Sequence, residues 1–570
     1  MHRRIHIDGG ASVEPDYLIV GGGSAGAVLA ARLSENGRHR VLLVEAGEDT
    51  PPGNTPADID DTFPSSTLNP AYFWPGLEAT VIAGEAPRPY PQARIMGGGS
   101  SIMGMFALRG MPSDYARWTA AGAEGCTWDD VVPYFNKVED DFDRRGAGTR
   151  GGAYPVRRSP REEWPDFVTA MQEAATTRRF AYVADINETP GDGFFPMPVS
   201  RDEEVRSSSA RCYLTAAVRA RRNLTIMPNT HVKTLRFDGR KVVGVEADRD
   251  GEAVTLRARR VILCAGAIHS PAILMRSGIG PADELRRVGI EPVVDRRGVG
   301  RNLQNHSYMF FALTLPRGKR LAPRLRRFAV AGLRASSRLP GCPSGDLLLF
   351  MLGRVSPRSF GTDVAMVASA LYSPFSVGAV TLASASAYAN PRVDFRMLDD
   401  PRDAPRVVMG ARLAEQFLRE PGVAATYGEA LLLPPGMALN QFNRPGLAGS
   451  LLAAGAKVTL NSPGPLRRFA LGQAFAGAKP LADRRGDMVL SDADLLSSIA
   501  PMGHPVGTCA MGRESDPKAV VDASYRVYGV GNLSVVDASI MPVIPSANTN
   551  LPTLMVAEHA VDRILATGAS

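Results

Sequence analysis

The segment that most restricts this chain lies near its start. Tyr17-Leu18-Ile19-Val20, an apolar run of strand length, breaks into Gly21-Gly22-Gly23-Ser24-Ala25-Gly26. Four successive apolar residues suit a strand buried on both faces, which needs a layer of structure above and below it. Ala27 to Leu33 then carries helical apolar spacing, and Val41-Leu42-Leu43-Val44 is a second buried run ending at Glu45. Strand, glycine turn, helix and strand form the first half of a dinucleotide-binding βαβ unit. In Gly21-x-Gly23-x-x-Gly26 the first glycine permits the tight turn. The second lets backbone approach a pyrophosphate, and the third allows close helix–strand packing. Ser24 and Ala25 open the helix whose positive end attracts the anion. Glu45, 24 residues after Gly21 and followed by Ala46, stands where a carboxylate holds ribose hydroxyls. The pattern does not separate FAD from NAD.

A chain of 570 residues exceeds one simple core, so two joined domains are expected. Apolar runs at Leu224–Met227, Val232–Phe237, Val242–Ala247 and Arg260–Leu263 read as further strands, the last entering Cys264-Ala265-Gly266. The fold class is α/β, mixed α+β overall: a discontinuous Rossmann-like cofactor domain over 15–155, 205–305 and 490–570. An antiparallel-sheet substrate domain over 156–204 and 306–489 is interleaved with it. The proline-rich stretch from about 51 to 92 lacks any period and reads as an extended excursion.

Composition excludes several classes. Apolar content of 44% and charge content of 22% are ordinary for a soluble folded protein. No window has the apolar length of a membrane helix, and the two arginines at the N-terminus have no apolar run behind them. Cysteines at 126, 212, 264, 342 and 509 form no CxxC or Cys/His cluster, so neither a metal site nor a disulfide framework is expected. The cytoplasm is the expected compartment. Net charge is +7, and eight basic residues but no acids fall between Leu315 and Pro340. This reads as a solvated surface segment, and without a recognition motif it implies no nucleic acid partner. Ala430 to Ala482 contains no acid either. An insertion packed on the substrate domain is the plain reading; a lid, an oligomer contact or a membrane-touching surface is the alternative, and membrane contact is not expected.

The remaining motifs carry chemistry. Ala93-Arg94-Ile95-Met96-Gly97-Gly98-Gly99-Ser100-Ser101 lets backbone lie against a flat ring or phosphate, and Arg109-Gly110 and Asp114-Tyr115-x-x-Trp118 follow it. Gly266-Ala267-Ile268-His269-Ser270-Pro271 and Gly298-Val299-Gly300-Arg301-Asn302-Leu303 come later. His504 lies in Gly503-His504-Pro505-Val506-Gly507-Thr508-Cys509, with Asn548 44 residues beyond. Removing a hydroxyl proton near neutral pH wants an imidazole, and a carboxamide donates to the oxygen without competing as a base.

In this order the blocks resemble the glucose–methanol–choline (GMC) oxidoreductase family over essentially the whole chain. Phe73-Trp74-Pro75, Val527-Tyr528-Gly529-Val530 and the run from Ala547 to Met555 point to bacterial members acting on hydroxymethylfurfural or aryl alcohols. The resemblance implies a small-molecule alcohol substrate, FAD, hydride transfer to flavin N5 with His504 as base and Asn548 as its partner, and oxygen or a quinone-like acceptor. It implies cofactor contacts at Arg94, Gly97, Gly98, Ser101, Met103, Gly104, Val232, Ala265, Gly266, Asp537, Ala538, Asn548, Asn550 and Pro552, and a substrate pocket at Phe73, Trp74 and Gly503. His269 and His306 read as structural. Redox-silent members that cleave cyanohydrins or decarboxylate fatty acids in light are the alternative; the His504/Asn548 pair favours redox work.

Two departures stand out. Ile102-Met103 replaces a segment that usually carries Asn at the second place, and in some relatives a flavin-linking histidine at the first. Isoleucine forms no such link, so noncovalent FAD is expected, and Met103 puts a thioether where a polar group would meet the flavin. Gly503 replaces a bulky aromatic, which implies a roomier pocket for a bulkier alcohol.

Overall fold

The computed structural model describes residues 14–144, 151–322, 324–435, 443, 446–467, 477–482 and 489–568. Its first sheet is fully parallel, in the order Leu533–Val535, Arg260–Leu263, Tyr17–Val20, Val41–Val44, Leu224–Met227. Tyr17–Val20 and Val41–Val44 are buried at every residue, as their continuous apolar runs require. Helix Ser24–Leu33 crosses between these two strands, with all but two of its residues buried. It packs against helix Asn550–Gly568. A methyl group on Gly26 would run into the Gly21 carbonyl, so this helix approaches its strand as closely as only glycine allows. The carboxyl ends of three adjacent strands therefore open onto one edge, where Gly21, Glu45 and Cys264 begin their turns.

The second large sheet is antiparallel. Its central strands are Ser307–Thr314, Val364–Leu371, Leu347–Leu352 and Ala329–Ala335, paired in that order, with Gly193–Pro196 at one end and Ala430–Leu432 and Lys479–Pro480 at the other. Alternate residues take opposite faces. Ala365, Val367 and Leu371 join the main core with Val407, Ala411 and Phe417 of helix Asp403–Leu418. Met366, Ala368, Ala370 and Tyr372 join a separate apolar cluster with Phe106, Phe195 and Phe350. Tyr308 and Phe310 of the neighbouring strand pack on that same cluster. The even-numbered face of strands Ser307–Thr314, Leu347–Leu352 and Val364–Leu371 is the one turned towards the site.

One expectation is modified. The stretch from 51 to 92 is not featureless: it forms helix Ala57–Asp60, two short 3-10 turns, and strands Glu78–Thr80 and Arg88–Pro89. Glu78–Thr80 pairs with Arg392–Asp394, so this segment ties the two domains together through tertiary pairing that no local period announces. Of the acid-free stretch, residues 436–442, 444–445 and 468–476 lie outside the described residues.

Adding one methyl at Gly26 should push the helix from the strand. Gly26→Ala is expected to cost about 1–3 kcal/mol, typical of overpacking, read as a melting temperature several degrees lower. An unchanged melting temperature would contradict the packing described.

Candidate active site

A long cavity opens at the carboxyl edge of the parallel sheet, and three helices point their N-termini into it. Ser24 and Ala25 come from Ser24–Leu33, Gly266 and Ala267 from Gly266–Arg276, and Asn550 and Thr553 from Asn550–Gly568. Unpaired N–H groups and aligned peptide dipoles make such a convergence a site for an anion. Asn550 joins two walls, accepting from Ser24 Oγ at 2.7 Å and donating to Tyr154 Oη at 3.0 Å. Asp537 accepts from the Gly266 N–H at 2.9 Å and Ser270 Oγ at 2.6 Å. Glu45 accepts from the N–H groups of Gly22 at 2.7 Å and Gly47 at 2.8 Å. Burial raises the pKa of both carboxyls, and their backbone and hydroxyl donors oppose the shift. Gly98 sits at φ +55°, and a Cβ there would stand 2.8 Å from Gly23 Cα, so two glycine turns from distant segments close on each other. An acid at the second strand end, helix N-termini and a glycine cradle together fit a flavin adenine dinucleotide.

All the sequence-derived cofactor residues line this cavity except Gly26, Arg94, Gly97, Ser101 and Pro552. Those five build its walls from behind. Arg94 Nε donates to the Ala46 carbonyl at 3.2 Å, the Gly97 N–H to Gly22 O at 2.7 Å, and Ser101 Oγ to Met96 O at 2.8 Å. Pro552 is buried in the first turn of its helix. The structure places the three residues expected in the substrate pocket differently. Phe73 packs with Ile59, Tyr72 and Ile95 and does not line the cavity. Trp74 does line it, but it stacks on His269 at 4.1 Å and meets His231 edge-on at 5.4 Å. His231 precedes Val232, whose strand begins at Thr230, and Thr230 N donates to Glu45 O at 2.7 Å. Trp74 is therefore fixed at the Glu45 end, held there because its N–H bonds Gln92 O at 2.9 Å. Gly503 alone of the three stands beside His504.

His504 and Asn548 do converge. Asn548 Nδ2 lies 3.0 Å from His504 Nε2, and both residues line the cavity. Two further side chains, which sequence reading assigned no part in chemistry, close a ring with them. Tyr372 Oη donates to Asn548 Oδ1 at 2.9 Å, and His306 Nδ1 lies 3.0 Å from His504 Nδ1. His306 stacks on Tyr372 with centroids 4.4 Å apart and planes 11° from parallel. Sheet register produces that stack: Ser307 pairs with Leu371, so His306 and Tyr372 form the next cross-strand couple on the even-numbered face. Because Tyr372 donates to the amide oxygen, the amide nitrogen faces His504, and an amide N–H only donates. His504 Nε2 is thus the lone-pair nitrogen, and its proton sits on Nδ1, aimed at His306. Burial pulls the His504 pKa down to about 3. Burial, then the neighbouring His504, hold His306 well below the ordinary imidazole range. Both rings are neutral near pH 7.

Backbone anchoring fixes the two loops that carry His504 and Asn548. Met502 O accepts from Tyr90 Oη at 2.8 Å and Asn305 Nδ2 at 2.6 Å, while Val506 and Gln304 exchange backbone bonds. The Asn548 loop is held by Asp114, which accepts from the Ser546 N–H at 2.7 Å, and by Trp118, whose indole donates to Val543 O at 2.7 Å. Arg109 is buried against Glu139, with bonds of 2.7 and 3.0 Å. The Arg109–Trp118 block therefore acts by holding structure, not by meeting a ligand directly.

The two sequence departures touch each other. A Cβ built on Gly503 would lie 3.3 Å from Met103 Cε and 3.4 Å from Sδ. The space left by the missing aromatic is partly occupied by a flexible thioether, so the pocket is adaptable where the sequence suggested it was simply open.

Comparison with known proteins agrees with this architecture. Family models described as GMC oxidoreductase match residues 15–308, for the N-terminal domain, and 374–557, for the C-terminal domain. The chain is 39% identical to 5-(hydroxymethyl)furfural oxidase of Methylovorus sp. (strain MP688), over 96% of this chain and 98% of that one. It is 33% identical to mitochondrial choline dehydrogenase of Mus musculus, over 97% and 90% of the two chains. The crystal structure of pyridoxine 4-oxidase from Mesorbium loti superposes with a TM-score of 0.77 at 27% identity, covering 97% of this chain and 99% of the other. With a parallel-sheet nucleotide cradle, a His504/Asn548 pair at its mouth and both family domains matched in order, the chain belongs to the GMC oxidoreductases, a family of FAD-binding enzymes.

Proposed function

We propose that this protein oxidises a primary alcohol, furanic or aryl and of adjustable bulk, to its aldehyde. The observation carrying the reading is the 3.0 Å contact between Asn548 Nδ2, a donor, and the lone pair of His504 Nε2. An alcohol oxygen that replaces this direct contact, the two side chains parting to admit it, receives a hydrogen bond from Asn548 and gives its proton to His504. As negative charge develops on that oxygen, the amide stays in place to bind it. His306 accepts from His504 Nδ1–H, which raises the basicity of Nε2 and supports the imidazolium that forms, as the third member of a hydrolase triad does. Tyr372 keeps the amide from flipping. Bound FAD would supply the hydride acceptor, its electrons passing on to oxygen or another acceptor.

Glu45, Val232, the Gly21–Ala25 turn, Met103, Gly104 and Asn550 are the groups that would hold the cofactor. Attachment is noncovalent, since Ile102 is a fully buried hydrocarbon and Met103 offers only a thioether. Resemblance to an enzyme named for 5-(hydroxymethyl)furfural supports the furanic class, and the glycine–methionine wall supports larger rings.

Anaerobic mixing with benzyl or furfuryl alcohol is expected to bleach the yellow flavin and release aldehyde. Supplied with a cyanohydrin instead, release of aldehyde and cyanide while the colour persists, with no bleaching by either alcohol, would show redox-neutral chemistry. His504→Ala should lower kcat by about 10² to 10⁴ with flavin content retained; near-native turnover would remove His504 from the base's role.

Protonation supplies a second expectation. Because burial lowers the His504 pKa, the neutral, proton-accepting form persists as pH falls through the ordinary value of 6.5. kcat/KM should stay level there, with its acid limb on the acid side. His306→Ala should lower kcat about tenfold or more with little change in KM and displace that limb. A limb at or above pH 6.5 in the parent enzyme, or a His306→Ala profile that superposes on it, would contradict the account.

Pocket width gives the third. Gly503→Trp must displace Met103, and is expected to cut kcat/KM for two-ring aryl alcohols at least about tenfold relative to benzyl alcohol. Adding Met103→Ala should return part of the loss. Equal losses on both substrates would show that this wall does not select.

A further inference from the structure

Helix Gly446–Leu460, at the far end of the acid-free stretch, is apolar on nearly every side. Its inner face is explained: Gly449, Ala453 and Leu460 are buried, and Ala453 and Leu460 join the cluster that contains Phe360 and Leu433. That cluster continues to Met105 and Phe106 at the cavity wall and to Met502 and Ala547, the neighbours of the catalytic loops. Its outer face is not covered by any of the described residues. Leu447 is 85% exposed, Leu451 72% and Val458 72%, with Leu452 and Leu466 also open to solvent. Positions 447, 451 and 458 share one stripe of a helix. An apolar stripe of this kind costs free energy in water unless something covers it.

Its rim indicates what covers it. Lys457, exposed, rests its ammonium on Ser359 O at 2.9 Å. Arg358 reaches Ser450 Oγ at 2.9 Å, and Arg317, exposed, reaches Asn461 Oδ1 at 3.2 Å. No acid occurs between Ala430 and Ala482. Leucines projecting outward from a ring of cations are the pattern of a helix lying in the headgroup region of an anionic bilayer, acyl chains receiving the leucines and phosphates the cations. A second copy of the chain fits less well: a two-fold contact through this stripe would set the cationic rim against itself. Among the described residues no helix is long and apolar enough to cross a membrane, so contact is interfacial.

We infer that helix Gly446–Leu460, with Arg317, Arg358 and Lys457, docks the enzyme on anionic lipid surfaces. From sequence membrane contact was not expected, and a membrane-touching surface was one alternative reading of this stretch. It does not depend on which alcohol is oxidised.

The test is sedimentation of the holoenzyme with equimolar phosphatidylglycerol/phosphatidylcholine vesicles at low ionic strength, beside pure phosphatidylcholine vesicles. Wild-type protein should pellet with the anionic vesicles and at least about tenfold more weakly with the neutral ones. The pairs Leu447→Glu/Leu451→Glu and Arg317→Glu/Lys457→Glu should each weaken binding by about tenfold or more. Unchanged flavin content and alcohol oxidation in solution would show both variants folded. The inference is overturned if wild-type protein stays in the supernatant, or if the folded variants pellet as well as wild type. It is also overturned if lipid-free protein is a dimer by light scattering that Leu447→Glu/Leu451→Glu converts to monomer.

Discussion

Chemistry at this site depends on which of two facing nitrogens owns a proton. Asn548 Nδ2 and His504 Nε2 stand 3.0 Å apart, and the amide must be the donor because its oxygen is already taken by Tyr372. From that constraint the protonation of the whole ring follows: Tyr372 to Asn548, Asn548 to His504, His504 to His306. In the proposed mechanism the base is therefore delivered in the correct tautomer before substrate arrives, and no reorganisation of protons is needed when it does.

What enforces the constraint is a sheet. His306 and Tyr372 meet because Ser307 pairs with Leu371, and both face the site because even-numbered positions on these strands do. A one-residue slip of strand Ser307–Thr314 would turn His306 to the opposite face of the sheet and take it away from His504 Nδ1. The cofactor cradle obeys a different logic, backbone rather than side chain: three helix N-termini and two apposed glycine turns, with Glu45 and Asp537 tied to N–H groups. The two halves meet at the mouth of the cavity. His504 and Asn548 follow from loops beside the parallel sheet, while His306 and Tyr372 come from the antiparallel one.

Much of this was legible in the sequence, where function is written locally. Tyr17 to Glu45 carries its strand, turn and helix in consecutive residues, and the block around His504 marks itself by composition. What escaped depends on pairing at a distance. His306 and Tyr372 lie 66 residues apart with no pattern linking them, so His306 read as structural and Tyr372 as nothing. Met103 and Gly503 looked like two independent departures until the fold laid one against the other. The place of Trp74 was not legible either, because its backbone pairing with Gln92 carries the tryptophan to the Glu45 end. Arg109, Asp114 and Trp118 looked chemical; Asp114 and Trp118 hold the loop that carries Asn548, and Arg109 is buried against Glu139.

The claim at the centre is a tautomer, and nitrogen NMR reads tautomers directly. Protein labelled with ¹⁵N at histidine, with His504 assigned by comparison with His504→Gln, should show near pH 7 a protonated Nδ1 and a bare Nε2 for that residue, each coupled to the ring hydrogens in the pattern of a neutral imidazole. A proton on Nε2, or a doubly protonated ring at that pH, would reverse the polarity of the hydrogen-bond ring and contradict the role given to His504.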